Sequence, residues 1–147
     1  VLDVGSGSGY PALLIALSGN ATEVVGVEPD RHIFEFLKRL EKLAENLRFI
    51  NGDFLDRGLE LEGFDTVVFS YILHDFDPLP FIERALDVLK PGGRIIVGDF
   101  DLNGLRETLK RFVREKRVKI LENLTIGEAP THRQRAKAFI IVMEVPK

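Results

Sequence analysis

Runs of β-branched and aromatic residues alternate with amphipathic stretches along the first hundred residues, and this alternation leaves few folds open. Val1–Val4, Glu23–Val27, Leu47–Ile50, Phe64–Phe69 and Arg94–Asp99 read as strands. Pro11–Leu17 reads as a helix closed by Gly19-Asn20. Asp30 can cap a second helix, in which Ile33, Phe36, Leu37, Leu40, Leu43 and Ala44 keep helical spacing. Pro78 and Pro80 open a third, with Ile82, Ala85, Leu86 and Leu89 inward, and Lys90-Pro91-Gly92-Gly93 reads as a strong turn. Continuous β-branched runs separated by amphipathic helices imply right-handed βαβ units and a parallel sheet covered on both faces.

The tail breaks the pattern. A helix from Leu105 to about Arg117 is followed by two strand-like runs, one within Val118–Ile126 and one at Ala138–Val145. Gly127–Arg135 is too short for a crossover helix, so the pair is expected to form an antiparallel hairpin at one sheet edge. With 147 residues and no linker or repeat, the sequence reads as one domain over residues 1–147. It opens directly on its first strand, so it is read as a domain lacking N-terminal helices.

Composition excludes several chemistries. The chain has no cysteine, which removes disulfides, thiolate metal sites and a cysteine nucleophile, and no metal site is expected. No apolar run reaches the ~18–20 residues of a membrane span, so a cytoplasmic protein without a membrane partner is expected. The formal net charge of -3 conceals a segregation: residues 1–101 carry 9 basic and 18 acidic groups, residues 102–147 carry 11 and 5. Arg106, Lys110, Arg111, Arg114, Lys116, Arg117 and Lys119 are spaced around a helix as a solvated face, with Phe112 the single aromatic among them, which argues against nucleic acid as a partner.

The chemistry-bearing motif is Val1-Leu2-Asp3-Val4-Gly5-Ser6-Gly7-Ser8-Gly9, three glycines at alternate positions between a strand and a helix. Backbone of this kind lets a ligand approach closely, and the helix start offers free N–H groups. A tight βα turn with no ligand is the plain alternative. The dinucleotide fingerprint G-x-G-x-x-G would need glycine where Tyr10 stands, and no Lys-Ser or Lys-Thr completes a P-loop. Asp3 would repel a pyrophosphate and suits a ligand with a positive centre. Glu28, at the end of the second strand, can accept two hydrogen bonds from a ribose diol, or be merely an acidic strand end. Asp53 could accept from an exocyclic amine and Phe54 could lie against a base; an ordinary polar loop is the alternative.

Together, Asp3-Val4-Gly5-Ser6-Gly7-Ser8-Gly9, Glu28, Gly52-Asp53-Phe54 and Leu89-Lys90-Pro91-Gly92-Gly93-Arg94 resemble the class I S-adenosylmethionine-dependent methyltransferases, across almost the whole chain. The resemblance implies a three-layer α/β/α sandwich with a seven-stranded, mostly parallel sheet of order 3-2-1-4-5-7-6 and strand 7 antiparallel. It implies that Gly5, Ser6, Gly7 and Gly9 wrap the methionine part of S-adenosylmethionine, with Asp3 near its amino group, Glu28 on the ribose, and Asp53 with Phe54 at the adenine.

The stretch after the fourth strand, Ser70-Tyr71-Ile72-Leu73-His74-Asp75-Phe76-Asp77, is expected to face the cofactor's reactive end. It lacks the Asn/Asp-Pro-Pro-Tyr signature of amino-methyltransferases and is similar to the corresponding stretch of small-molecule O-methyltransferases. That similarity implies His74 as general base, with Ser70 and Asp75 beside the cofactor; a histidine merely hydrogen-bonded at a helix entry is the alternative. His32 reads as solvated. If strand six is parallel to the others, the turn at His132 could place Arg133 or Arg135 where an acidic substrate arrives; an exposed polar hairpin loop is the alternative.

The leading expectation is therefore an S-adenosylmethionine-dependent enzyme methylating a small molecule, at oxygen in preference to other atoms. A cofactor-binding methyltransferase-like module without catalysis of its own is the second reading, and an NAD-binding oxidoreductase the third. A homodimer is compatible with the sequence but not specified by it.

Overall fold

The computed structural model describes residues 1–132 and 134–147. Seven strands, β1 (Leu2–Val4), β2 (Val24–Glu28), β3 (Leu47–Asn51), β4 (Phe64–Ser70), β5 (Leu89–Phe100), β6 (Lys119–Pro130) and β7 (Arg135–Glu144), form a sheet of order β3-β2-β1-β4-β5-β7-β6. Four α-helices accompany them: α1 (Tyr10–Leu17), α2 (Arg31–Leu40), α3 (Pro78–Val88) and α4 (Leu105–Lys116). This is the expected order, and β7 is antiparallel to both of its neighbours, β5 and β6. Two successive antiparallel pairings leave β6 pointing the same way as β5. The chain divides into two compact units, Val1–Leu61 and Glu62–Lys147.

In the first unit, β2 pairs in parallel with β1 and with β3, and all five of its residues are buried. A strand covered on both faces cannot alternate, which is why Val24-Val25-Gly26-Val27 reads as a continuous run. Asp30 caps α2, accepting from the Ile33 N–H at 3.0 Å. Ala12, Leu13 and Ala16 of α1, Leu37 of α2, Val24, Leu47 and Phe49 make the core. Not every residue at helical spacing turns inward: α2 packs Phe34, Leu37 and Leu40 on the core, which leaves Ile33 and Phe36 exposed, and Leu43 is exposed because α2 ends at Leu40 and one 3-10 turn, Glu41–Leu43, redirects the chain.

In the second unit, β4 and β5 are parallel, and Ile82, Ala85 and Val88 of α3 are fully buried. The expected turn at Lys90–Gly93 is absorbed into β5 as a bulge. Phe64 pairs with Leu89 and Thr66 with Arg94, so Lys90–Gly93 loops out of the ladder and Gly92 takes the φ of +75° that the loop requires. The hairpin is longer than its hydrophobic runs suggested. Gly127–Pro130 stay paired with Arg135–Ala138, and Thr131 and Gln134 close the turn through the Thr131 N–H to Gln134 carbonyl bond. Ladder hydrogen bonds do not need apolar side chains on an edge strand, so composition alone ended β6 too early.

Candidate functional site

The glycine loop is fixed from below by backbone. The Gly5 and Ser6 N–H groups both reach the Val27 carbonyl, at 2.9 and 3.2 Å, and Gly5, Gly7 and Gly9 all have positive φ. Only glycine takes three such positions without strain. They do different work. A Cβ on Gly7 would meet nothing closer than 3.9 Å, so that face of the loop is open to a ligand. A Cβ on Gly9 would lie 2.6 Å from both Leu37 Cδ2 and Leu40 Cδ1, so Gly9 lets α1 approach α2.

Glu28, buried at the end of β2, receives the Gly7 N–H on Oε1 (3.0 Å) and the Asp30 N–H on Oε2 (2.9 Å). It thus ties the glycine loop to the α2 cap, and each oxygen keeps a lone pair for another donor. Asn51, which carried no sequence signal of its own, donates to the Glu28 and Pro29 carbonyls (2.9 and 3.1 Å), while Gly52 N–H also reaches the Glu28 carbonyl. This brings the Asp53 turn to the end of β2. Asp53 is exposed and accepts from the Leu55 N–H (2.9 Å). Phe54 is 3% exposed, so its ring packs inside the unit and presents no open face.

Asp3 is the unusual member. It is buried, and its Oδ2 has no hydrogen-bond partner among the described residues. Burial pushes its pKa up to about 6, with the nearby Glu28 charge adding to the effect and the Ser6 hydroxyl opposing it. A buried oxygen without a donor is costly unless something brings one. An ammonium group would satisfy both the lone pair and the charge. Asp3, the open Gly7 backbone and the spare lone pairs of Glu28 therefore fit a nucleoside that carries a cationic amino acid arm.

In the second unit, the chain leaves β4 at Ser70, half-buried, and turns through Tyr71 at φ +57° into one 3-10 turn, Leu73–Asp75. The His74 Nδ1 lies 2.6 Å from Oδ1 of Asp99, a fully buried residue near the end of β5. Asp99 is held in turn: Oδ2 accepts the Leu73 and His74 N–H groups (2.9 and 3.2 Å), and Oδ1 also accepts the Phe100 N–H (2.7 Å). Burial nevertheless raises its pKa, these hydrogen bonds opposing the rise. On the other ring edge, His74 Nε2 is 3.3 Å from Oδ2 of half-exposed Asp75. Asp75, expected beside the cofactor, flanks the histidine. Asp99 was missed, although it is an acid closing an apolar strand, the same signal that singled out Glu28.

The remaining candidates are dispersed. His32 and His132 are exposed. Arg135 is paired with Glu128 (Nε to Oε1, 2.8 Å), and Arg133 lies outside the described residues.

A family model described as a methyltransferase domain matches residues 1–137. The chain belongs to the S-adenosylmethionine-dependent methyltransferases. Among its relatives are a tRNA U34 carboxymethyltransferase of Alteromonas mediterranea, 33% identical over 121 residues (74% of this chain, 35% of the relative), and a demethylmenaquinone methyltransferase of Clavibacter sepedonicus, 30% identical over 101 residues (68% and 40%). The chain thus spans about a third to two fifths of the length of these curated relatives. The crystal structure of the N-methyltransferase NodS from Bradyrhizobium japonicum superimposes with a TM-score of 0.79 at 16% identity, covering 99% of this chain and 85% of that one. This last likeness is one of fold. A tRNA-modifying relative leaves the expectation against nucleic acid without support. Among the described residues, no helix of this methyltransferase domain is long and apolar enough to cross a membrane.

Proposed function

We propose that the chain is the catalytic domain of a methyltransferase that transfers a methyl group to the hydroxyl of a small molecule, with His74 as general base. The observation that carries this reading is the 2.6 Å contact between His74 Nδ1 and the fully buried Asp99.

Asp3, Gly5, Ser6, Gly7, Glu28 and Asp53 would hold S-adenosylmethionine: Asp3 its amino group, the glycine backbone its methionine arm, Glu28 the ribose diol, and Asp53 the adenine. Phe54 contributes to that end through the fold of the Asp53 turn, since its ring is buried. Bound there, the cofactor supplies a sulfonium methyl that is electrophilic without further activation.

The protein's task on the acceptor side is a proton. Asp99 accepts from Nδ1–H and so fixes the tautomer whose Nε2 lone pair is free to take a hydroxyl proton. Once Nε2 is protonated, its N–H faces Asp75 Oδ2, 3.3 Å away, and the imidazolium is held between two carboxylates. A base of this kind typically contributes ~10²–10⁴-fold, and it matters for hydroxyls of high pKa far more than for amines or thiolates.

Transfer of tritiated methyl from S-adenosylmethionine to matched phenols, amines and thiols tests the assignment. His74→Ala is expected to abolish most transfer to the phenols while leaving S-adenosylhomocysteine affinity intact. Equal turnover of phenols by the variant would refute the base role.

A further inference from the structure

The backbone around His74 is unusual in a way the base role does not require. Among the described residues, three that are not glycine have positive φ: Tyr71 (+57°), Asn103 (+54°) and Arg117 (+56°). Two of the three frame the histidine. Tyr71 lies three residues before it, and Asn103 donates through Nδ2 to the His74 carbonyl at 3.3 Å. Asparagine tolerates this region readily; a bulky aromatic does not, and glycine or asparagine at position 71 would make the same turn without strain. What tyrosine brings instead is a ring.

That ring is not core. Tyr71 is 44% exposed and lies 5.0 Å, centroid to centroid, from the half-buried ring of Phe100, the two planes inclined at 52°. Phe100 in turn meets the His74 imidazole edge-on at 6.0 Å. Phe100 directly follows Asp99, so the strand end that orients the base also sets the neighbouring ring. The Tyr71 N–H is anchored on the Gly98 carbonyl at 2.8 Å, which fixes where the ring is carried. An exposed tyrosine, a half-buried phenylalanine and the imidazole thus form one continuous aromatic surface.

Its electrostatic surroundings select further. Asp75, Asp77 and Asp101, all exposed, belong to the same two loops. Three carboxylates oppose a phosphate or carboxylate on the ligand, and no lysine or arginine interrupts residues 70–83 or 95–105.

We propose that Tyr71 and Phe100 are the platform that recognises the acceptor, and that the acceptor is a planar, uncharged hydroxyaromatic. Its ring stacks on the exposed face of Tyr71 and meets the inclined ring of Phe100 at an angle, and its hydroxyl is offered to His74 Nε2. This rests on the reading of His74 as the base and names the substrate class that the site takes.

The test separates ring recognition from methyl transfer. Binding of 2-naphthol and of its saturated counterpart decahydro-2-naphthol to the full chain is measured by calorimetry or by NMR titration. The aromatic alcohol is expected to bind at least tenfold more tightly. Tyr71→Phe keeps that affinity within about twofold, whereas Tyr71→Leu and Phe100→Leu each weaken it about five- to tenfold. Circular dichroism and S-adenosylhomocysteine affinity are expected to match the wild type in all three variants. Leucine retains apolar bulk, so unchanged naphthol binding in Tyr71→Leu, or equal binding of the two alcohols by the wild type, would overturn the proposal. So would a uridine-containing oligonucleotide that displaces 2-naphthol at lower concentration than naphthol itself binds. Naphthol binding with the expected discrimination but no methyl transfer would instead overturn the base reading and leave the aromatic platform standing.

Discussion

Replacing Asp3 by asparagine should stabilise the protein at neutral pH while weakening its hold on the cofactor. The carboxyl is buried, and its pKa is raised from 3.8 to about 6 by desolvation above all. Two decades of proton affinity, at about 1.4 kcal/mol each, mean that keeping Asp3 ionised in the folded chain costs about 3 kcal/mol at pH 7. The sign follows from linkage. Between pH 4 and 6 the folded state holds a proton on Asp3 that the unfolded chain has already lost, so stability falls as pH rises through that window and is level above it. The asparagine variant lacks this slope. Its buried amide carries its own desolvation cost of ~1–3 kcal/mol, but that cost does not change with pH.

The measurement is therefore a difference of slopes. Urea unfolding of both proteins from pH 4 to pH 8 should show the wild type losing about 2.4 kcal/mol relative to Asp3→Asn between pH 4 and pH 7. Parallel curves would refute the argument that burial without a partner is what raises this pKa. Binding supplies an independent check. A ligand ammonium next to Asp3 stabilises the carboxylate, so S-adenosylhomocysteine should displace about half a proton at pH 6, read by calorimetry in buffers of different ionisation enthalpy. Asp3→Asn should abolish the proton release and lower the affinity roughly tenfold or more.

The other acids and the glycine loop yield shorter predictions. Asp99→Asn places an amide where three backbone N–H groups and Nδ1–H converge, so methyl transfer should fall by ~10²-fold or more while naphthol affinity holds. Glu28→Gln gives up one charge-assisted bond, to Gly7 or Asp30 N–H, and should weaken S-adenosylhomocysteine binding about tenfold with the fold intact. Gly9→Ala should destabilise by about 1–3 kcal/mol in urea unfolding, since its Cβ meets Leu37 and Leu40 from a φ of +79°.

Much of this was legible in the sequence because the physics was local. A strand buried on both faces must be continuously apolar, which exposes β2 and the parallel sheet. A cap needs its side chain three residues before the N–H it serves, which exposes Asp30. Where legibility failed, the determinant lay far along the chain. Gly9 reads as part of a ligand loop, yet the atoms that forbid a side chain there belong to Leu37 and Leu40. Phe54 reads as a base platform because nothing near it in sequence says that it is buried. Asp99 is 25 residues from His74, and only the fold puts it 2.6 Å away. The end of β6 was lost for a different reason: edge-strand pairing runs through backbone, which composition does not encode.

The three buried acids show how far burial alone can mislead and where hydrogen bonding decides. Asp3, Glu28 and Asp99 each sit at or near the end of a strand, and each is under 10% exposed. Asp99 accepts four hydrogen bonds and needs no further donor; its charge is committed to His74 and to the loop that carries it. Glu28 accepts two and can still take a diol, so it both builds the loop and remains available to a ligand. Of the three, Asp3 alone leaves an oxygen without a donor among the described residues, and the ammonium group of the proposed cofactor would meet that cost. A protein that relieved that cost for itself, with an asparagine or a nearby lysine, would fold more stably and lose its purchase on the ammonium group. The same reasoning applies to Tyr71, where backbone strain is retained to hold a ring in the open. If both proposed roles hold, these are the positions at which ligand affinity and protein stability should move in opposite directions.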